Sequence, residues 1–100
     1  MQYRQSVTGS DYHFFMTGKF TFADHGIFKV IVEIIKEGEI GSVTLDMAGI
    51  ETIDSAALGM LLIAREEAQK HNVHLILANP QGQIEKMFKV SKFETLFTIK

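Results

Sequence analysis

Residues Asp46 to Ala64 read DMAGIETIDSAALGMLLIA, a segment that passes from a strand through a glycine-bearing turn into a helix with no charge in its first half. The strand is Ser42 to Met47, short and mostly β-branched or apolar, as a buried central strand should be. Ala48 to Thr52 has no helical period and contains Gly49, so a loop is expected there. A helix then runs from about Ser55 to Lys70. At the helical period Ala57, Leu61, Ala64 and Ala68 share one stripe, the natural core face. The opposite stripe holds Ser55, Gly59, Leu62 and Glu66. Leu62, with Ile63 beside it, projects apolar surface outward, as interaction sites rimmed by polar residues do. The plainer alternative is that a loop or the preceding helix covers both side chains.

Working outward, the flanks supply alternating strands and helices. Tyr3, Gln5 and Val7 alternate, Thr8-Gly9-Ser10-Asp11 carries turn chemistry, and the aromatic-rich Tyr12 to Met16 completes an expected hairpin. Thr21-Phe22-Ala23-Asp24 has the capping-box pattern that opens a helix. Ile27, Val30, Ile31, Ile34 and Ile35 follow as its core stripe, and Gly38 ends it as a left-handed cap, so the first helix closes near Glu37. Isoleucine and valine are middling helix formers, so packing rather than propensity must hold it. Val73 to Ala78 reads as another buried strand. Asn79-Pro80 signals a third helix start, with Asn79 as cap, and Ile84, Met87 and Phe88 give that helix its apolar face. Phe93 to Ile99 is expected to close the chain as a last strand. The order implies an α/β fold: an N-terminal hairpin, then alternating helices and strands in a mixed β-sheet flanked by helices, the later strands largely parallel.

At 100 residues, with 46% hydrophobic and 22% charged residues, the chain has the size and composition of one packed domain spanning residues 1–100. No apolar run approaches the ~20 residues that cross a bilayer, and the opening MQYRQSVTGSD lacks the apolar stretch of a secretory signal, so a cytoplasmic address is expected. The absence of cysteine excludes disulfides, thiolate metal sites and cysteine nucleophiles. Ten basic residues against twelve acidic ones leave no basic excess for nucleic acid.

The chemistry concentrates at Asp54 and Ser55. Either can cap the second helix, a role that contributes about 1 kcal/mol. A hydroxyl at a helix N-terminus also lies where a phosphoryl group is favoured by the local dipole and free N–H groups. Phosphorylation adds about 1.5 to 2 negative charges beside an apolar surface that already carries Glu51 and Asp54. The folded domain tolerates that charge, whereas a partner burying the same face meets an unpaired anion costing several kcal/mol. Phosphorylation would therefore act as a release switch.

At these residues the sequence resembles STAS domains of the bacterial anti-sigma factor antagonist type. IDSAALGMLL, preceded by TLDMAGIET, carries the most specific part of the resemblance, and GKF before the first helix and LILANP before the third extend it over essentially the whole chain. The resemblance implies that Ser55 is the phosphoacceptor, with Asp54 preceding it, for a serine kinase that is often itself an anti-sigma factor. It also implies a serine phosphatase that restores binding. Family members often read DSSGLG here, whereas this chain has Ala56 and Ala57. Many members also possess a C-terminal helix, for which the sequence after the last expected strand leaves no room.

Other constellations are weaker. His71 and His74 straddle a helix end and a strand start without a third ligand, and read as solvated or capping histidines. Asp46 reads as a strand-end acid holding loop N–H groups rather than as half of a catalytic pair. No GxxxxGK, GxGxxG or GxSxG occurs, so neither a nucleotide-binding enzyme nor a hydrolase is supported, and no cofactor or metal is expected. The expected function is a non-enzymatic switch that docks an anti-sigma factor or serine kinase. The expected docking residues are Gly49, Ile50, Ile53, Asp54, Ala56, Gly59, Leu62, Ile63 and Glu66. A weak homodimer through Leu62 and Ile63 is an alternative use of that face. Alternative functions are a small-molecule or nucleotide sensor using the same helix N-terminus as an anion site, and a membrane-associated scaffold subunit.

Overall fold

A computed structural model describes all residues from Met1 to Lys100. Strands β1 (Gln2–Thr8) and β2 (Asp11–Phe20) form a hairpin, and a single 3-10 turn (Phe22–Asp24) leads into α1 (His25–Lys36). Then follow β3 (Ser42–Ile53), α2 (Ser55–Lys70), β4 (His74–Ala78), α3 (Gly82–Val90), a second 3-10 turn (Phe93–Thr95) and β5 (Thr98–Ile99). The five strands lie in chain order in one sheet. β1 is antiparallel to β2, and every later pair is parallel. Each parallel connection steps to the next strand in the same direction, so right-handed crossovers place all three helices on one face.

Local chemistry accounts for most boundaries. Gly9 sits at φ +60° in the two-residue hairpin turn, a backbone shape that glycine adopts without steric cost. The capping box closes as expected, with Ala23 N–H on Thr21 Oγ1 at 3.3 Å and Thr21 N–H on Asp24 Oδ2 at 2.8 Å. It opens the 3-10 turn rather than the α-helix itself. Gly38, at φ +71°, follows the end of α1 in the left-handed conformation expected of it.

The core is one cluster between sheet and helices. Phe14, Met16, Leu45, Met47 and Leu77 from the strands meet Ile31 and Ile35 of α1, Leu61 and Ala64 of α2, and Ile84 and Phe88 of α3. The predicted inner stripe of α2, Ala57, Leu61, Ala64 and Ala68, is buried throughout.

Four expectations are corrected. In α1 the buried residues are Phe28, Ile31, Val32 and Ile35, whereas Ile27 and Val30 face outward and are exposed. The seven Ile, Val and Phe residues of α1 cover more than half of its circumference, so its pattern admitted more than one inner face, and the sheet chose. The loop expected at Ala48 to Thr52 does not exist: β3 continues to Ile53 against a β2 that continues past Met16 to Phe20. Register shifts between Phe15 and Thr17 and between Gly18 and Lys19 break the two-residue alternation that would have marked these extensions. Asn79 does not cap α3, because it adopts φ +55° and gives its side-chain amide to Asp46, leaving Gln81 as the residue before the helix. Finally, Phe93 to Ile99 is mostly not strand. Phe93 stacks between Phe88 and Phe97 at ring separations of 5.4 and 5.0 Å, so these aromatics fill core, and only Thr98 and Ile99 join the sheet.

Candidate functional site

The start of α2 is held by Asp54. Its extended backbone leads into the helix, Oδ1 accepts the Ala57 N–H at 2.8 Å, and Oδ2 accepts the Phe22 N–H at 3.1 Å. Its own N–H donates to Phe20 O at 3.2 Å. The choice left open by the sequence is thus decided: Asp54 is the cap, and it also ties the β2–α1 junction to the start of α2. Ser55 becomes the first helical residue, exposed, with its hydroxyl free of the capping bond. The first helical bond runs from Leu58 N–H to Asp54 O at 3.1 Å. An anion on Ser55 would therefore face the positive end of the helix dipole.

Around this hydroxyl the surface is apolar. Leu62 is 40% and Ile63 56% exposed, so neither a loop nor α1 covers them. Phe22, 69% exposed, is brought to the site by its bond to Asp54. Nothing local marked it, since the contact spans 32 residues. Ile63 and Met60 also line a groove of about 230 Å³ between α1 and α2, whose other wall carries His25, Lys29, Glu33 and Lys36, the last two 3.6 Å apart as an ion pair. The face combines an apolar surface with a margin of mixed charge, and the acid Glu66 lies exposed farther along α2 beside Lys70.

Not every expected docking residue reaches this surface. Ile50 and Ile53 are buried in the core, because the supposed loop is strand and both turn inward from it. Gly49 is exposed but has a structural task. A Cβ there would come within 2.7 Å of Thr17 Cγ2 and 2.9 Å of the Met16 carbonyl oxygen, so glycine permits the close approach of β2. Ala56 is half-buried beside Ser55. Gly59 has open space where a side chain would project, which leaves α2 flat beside Ser55 and Leu62.

The competing clusters resolve into supporting roles. Asp46 Oδ1 accepts the Ala48 N–H at 3.0 Å and Oδ2 accepts from Asn79 Nδ2 at 3.1 Å, with His13 Nε2 3.5 Å away. His71 follows the last turn of α2, whereas His74 Nε2 lies 3.0 Å from Thr98 Oγ1. No group of three or more histidine or carboxylate side chains is arranged to hold a metal, and no helix is long and apolar enough to cross a membrane.

The family model of the STAS domain matches residues 7–100. The chain belongs to the STAS domain family. A STAS-domain containing protein of Pseudomonas aeruginosa (strain UCBPP-PA14) is 33% identical over 94 residues, covering 94% of this chain and 92% of that protein. Among solved structures, a Thermotoga maritima protein described as a candidate anti-sigma factor antagonist superposes with a TM-score of 0.88 at 14% identity, over 97% of this chain and 84% of its own. The phosphorylated form of the Bacillus cell fate determinant SpoIIAA superposes with a TM-score of 0.77 at 20% identity, over 99% of this chain and 91% of that one. At such identities these structures establish a shared fold, that of a small STAS domain built like SpoIIAA.

Proposed function

We propose that this STAS domain is a partner-switching module of the anti-sigma factor antagonist type. Unmodified, it docks an anti-sigma factor or a serine kinase on the face formed by Ser55, Leu62, Ile63 and Phe22. Phosphorylated at Ser55, it releases that partner, and a serine phosphatase restores binding. The protein is then a non-enzymatic cytoplasmic regulator of transcription or of a signalling enzyme in a bacterial cell.

One observation carries the reading: capping by Asp54 leaves the Ser55 hydroxyl exposed and uncommitted beside an uncovered apolar surface. A kinase can reach it, and the helix N-terminus tolerates the product. A partner that buries Leu62 and Ile63 would bury the dianion with them, and every 1.4 kcal/mol of that penalty weakens binding about tenfold.

The test is co-purification of the partner, followed by incubation with the partner kinase and ATP and mass spectrometry of the modified residue. Ser55 is the expected site, and Ser55→Ala should bind the partner constitutively while Ser55→Asp binds more weakly. Equal partner affinity for wild type, Ser55→Ala and Ser55→Asp would refute the switch.

A further inference from the structure

We propose that a second copy of this chain docks along the free edge of β1, joining two five-stranded sheets into one across a two-fold axis. β1 is a border strand of seven residues, exposed along almost its whole length, and its pairing with β2 runs without a bulge. It contains no proline and a single charge, Arg4, so it lacks most of the devices that blunt sheet edges.

The backbone fixes which groups are free. A two-residue hairpin loop is closed by a hydrogen-bonded pair, here Thr8 and Asp11, and such pairs alternate along an antiparallel ladder. Thr8, Ser6, Arg4 and Gln2 therefore turn their N–H and C=O groups toward β2. Tyr3, Gln5 and Val7 turn theirs outward. An antiparallel copy centred on Gln5 sets Gln5 against its equivalent and Tyr3 against Val7, so all outward groups pair at once. The same register places Arg4 opposite Ser6. Centring on Arg4 instead would oppose two arginines, which is destabilising. The Gln5-centred register is thus the one that pairs Tyr3, Gln5 and Val7 all together without opposing like charges.

Side chains on the helical face agree with this register. Tyr3 packs edge-on to Phe14, so Tyr3, Gln5 and Val7 share the side that carries the helices. A two-fold axis normal to the sheet brings α1 of both copies together on that side. There α1 exposes Ile27 and Val30, 40% and 49% accessible, flanking a hollow that Met1, Gln2 and Tyr3 complete. Val7 is exposed as well. The apolar residues of α1 that this fold leaves outside the core therefore lie against the one long open edge. Arg4 lies over the ring of its own Phe15, 4.9 Å from the centroid, and so stays clear of its equivalent in this register, and the matching of like apolar patches across the two-fold axis identifies the occupant as another copy. This surface is separate from the Ser55 face, so dimer and partner can coexist.

Sedimentation equilibrium of the full chain from about 1 μM to 1 mM should show a monomer–dimer equilibrium. Val30→Lys and, independently, Gln5→Pro should each raise the dimer dissociation constant at least about tenfold. Gln5→Pro removes an outward N–H and leaves the β1–β2 bonds in place. Both positions are exposed, and circular dichroism with thermal melting verifies that each variant folds. Ile63→Lys should leave the dimer unchanged. A wild-type chain that stays monomeric throughout overturns the proposal, as does a dimer that survives Val30→Lys and dissociates with Ile63→Lys. Either result leaves the phosphorylation test of Ser55 untouched.

Discussion

Two helices of this domain start on an aspartate, and the two starts do opposite work. At α1, Asp24 is buried, accepts the Thr21 N–H at 2.8 Å and takes the Met1 amino group at 2.9 Å. At α2, Asp54 is only half-buried, and its bonds to Ala57 and Phe22 leave Ser55 exposed next to it. The same carboxylate chemistry is buried before one helix and surface-facing at the start of the other. Bonding capacity alone does not make a site. What differs is where each carboxylate is spent: Asp24 is buried on Thr21 and Met1 and gives α1 no side-chain cap, whereas Asp54 caps α2 at the surface and spares the hydroxyl of Ser55.

Breaking the buried start should cost most. Asp24→Asn leaves the Met1 amino group and the Thr21 N–H without their charged acceptor, with an expected loss of about 2–3 kcal/mol in urea unfolding. The pH dependence follows. Burial alone would raise the Asp24 pKa, but the Met1 ammonium and the Thr21 N–H outweigh it and hold the carboxyl below its ordinary 3.8. A folded-state value below the unfolded one contributes stability that is fully present above the unfolded pKa and is lost as pH falls through the folded one. Wild type should therefore lose stability below about pH 4, and Asp24→Asn should show a shallower slope there.

Breaking the surface-facing start should cost less. Asp54→Ala removes the cap of α2 and its link to Phe22, with about 1–2 kcal/mol expected from thermal melts. Partner affinity should fall with it, because Phe22 and the start of α2 lose their common anchor. Ser55→Ala sharpens the contrast: since Ser55 is not the cap, stability should change by less than about 0.5 kcal/mol while phosphorylation is abolished. Smallest and opposite in sign, Gly59→Ala should stabilise α2 by about 0.5–1 kcal/mol, because its Cβ meets open space. A weaker partner complex in that variant would place Gly59 inside the docking face.

Much of this was legible beforehand because it is local. The inner stripe of α2, the capping box at Thr21 and the glycine after α1 each depend on residues within a turn of one another. The site was partly legible for the same reason: Ser55, Leu62 and Ile63 lie on one short helical segment whose outward surface the periodicity reveals. Ile50 and Ile53 were misplaced because their strand is imposed by β2 across register shifts. Phe22 was missed because its place at the site rests on a bond to a distant aspartate.

The order of residues alone determined where α2 lies and where α1 ends, that strands alternate with helices, and which face of α2 turns inward, since those outcomes follow from steric and hydrogen-bonding preferences over a few positions. Only the assembled fold decided that Asp54 rather than Ser55 caps α2, that β3 runs on to Ile53, and that Ile27 and Val30 stay outside. Each of those depends on which surfaces meet across the sheet, and local periodicity leaves that choice open until the layers pack.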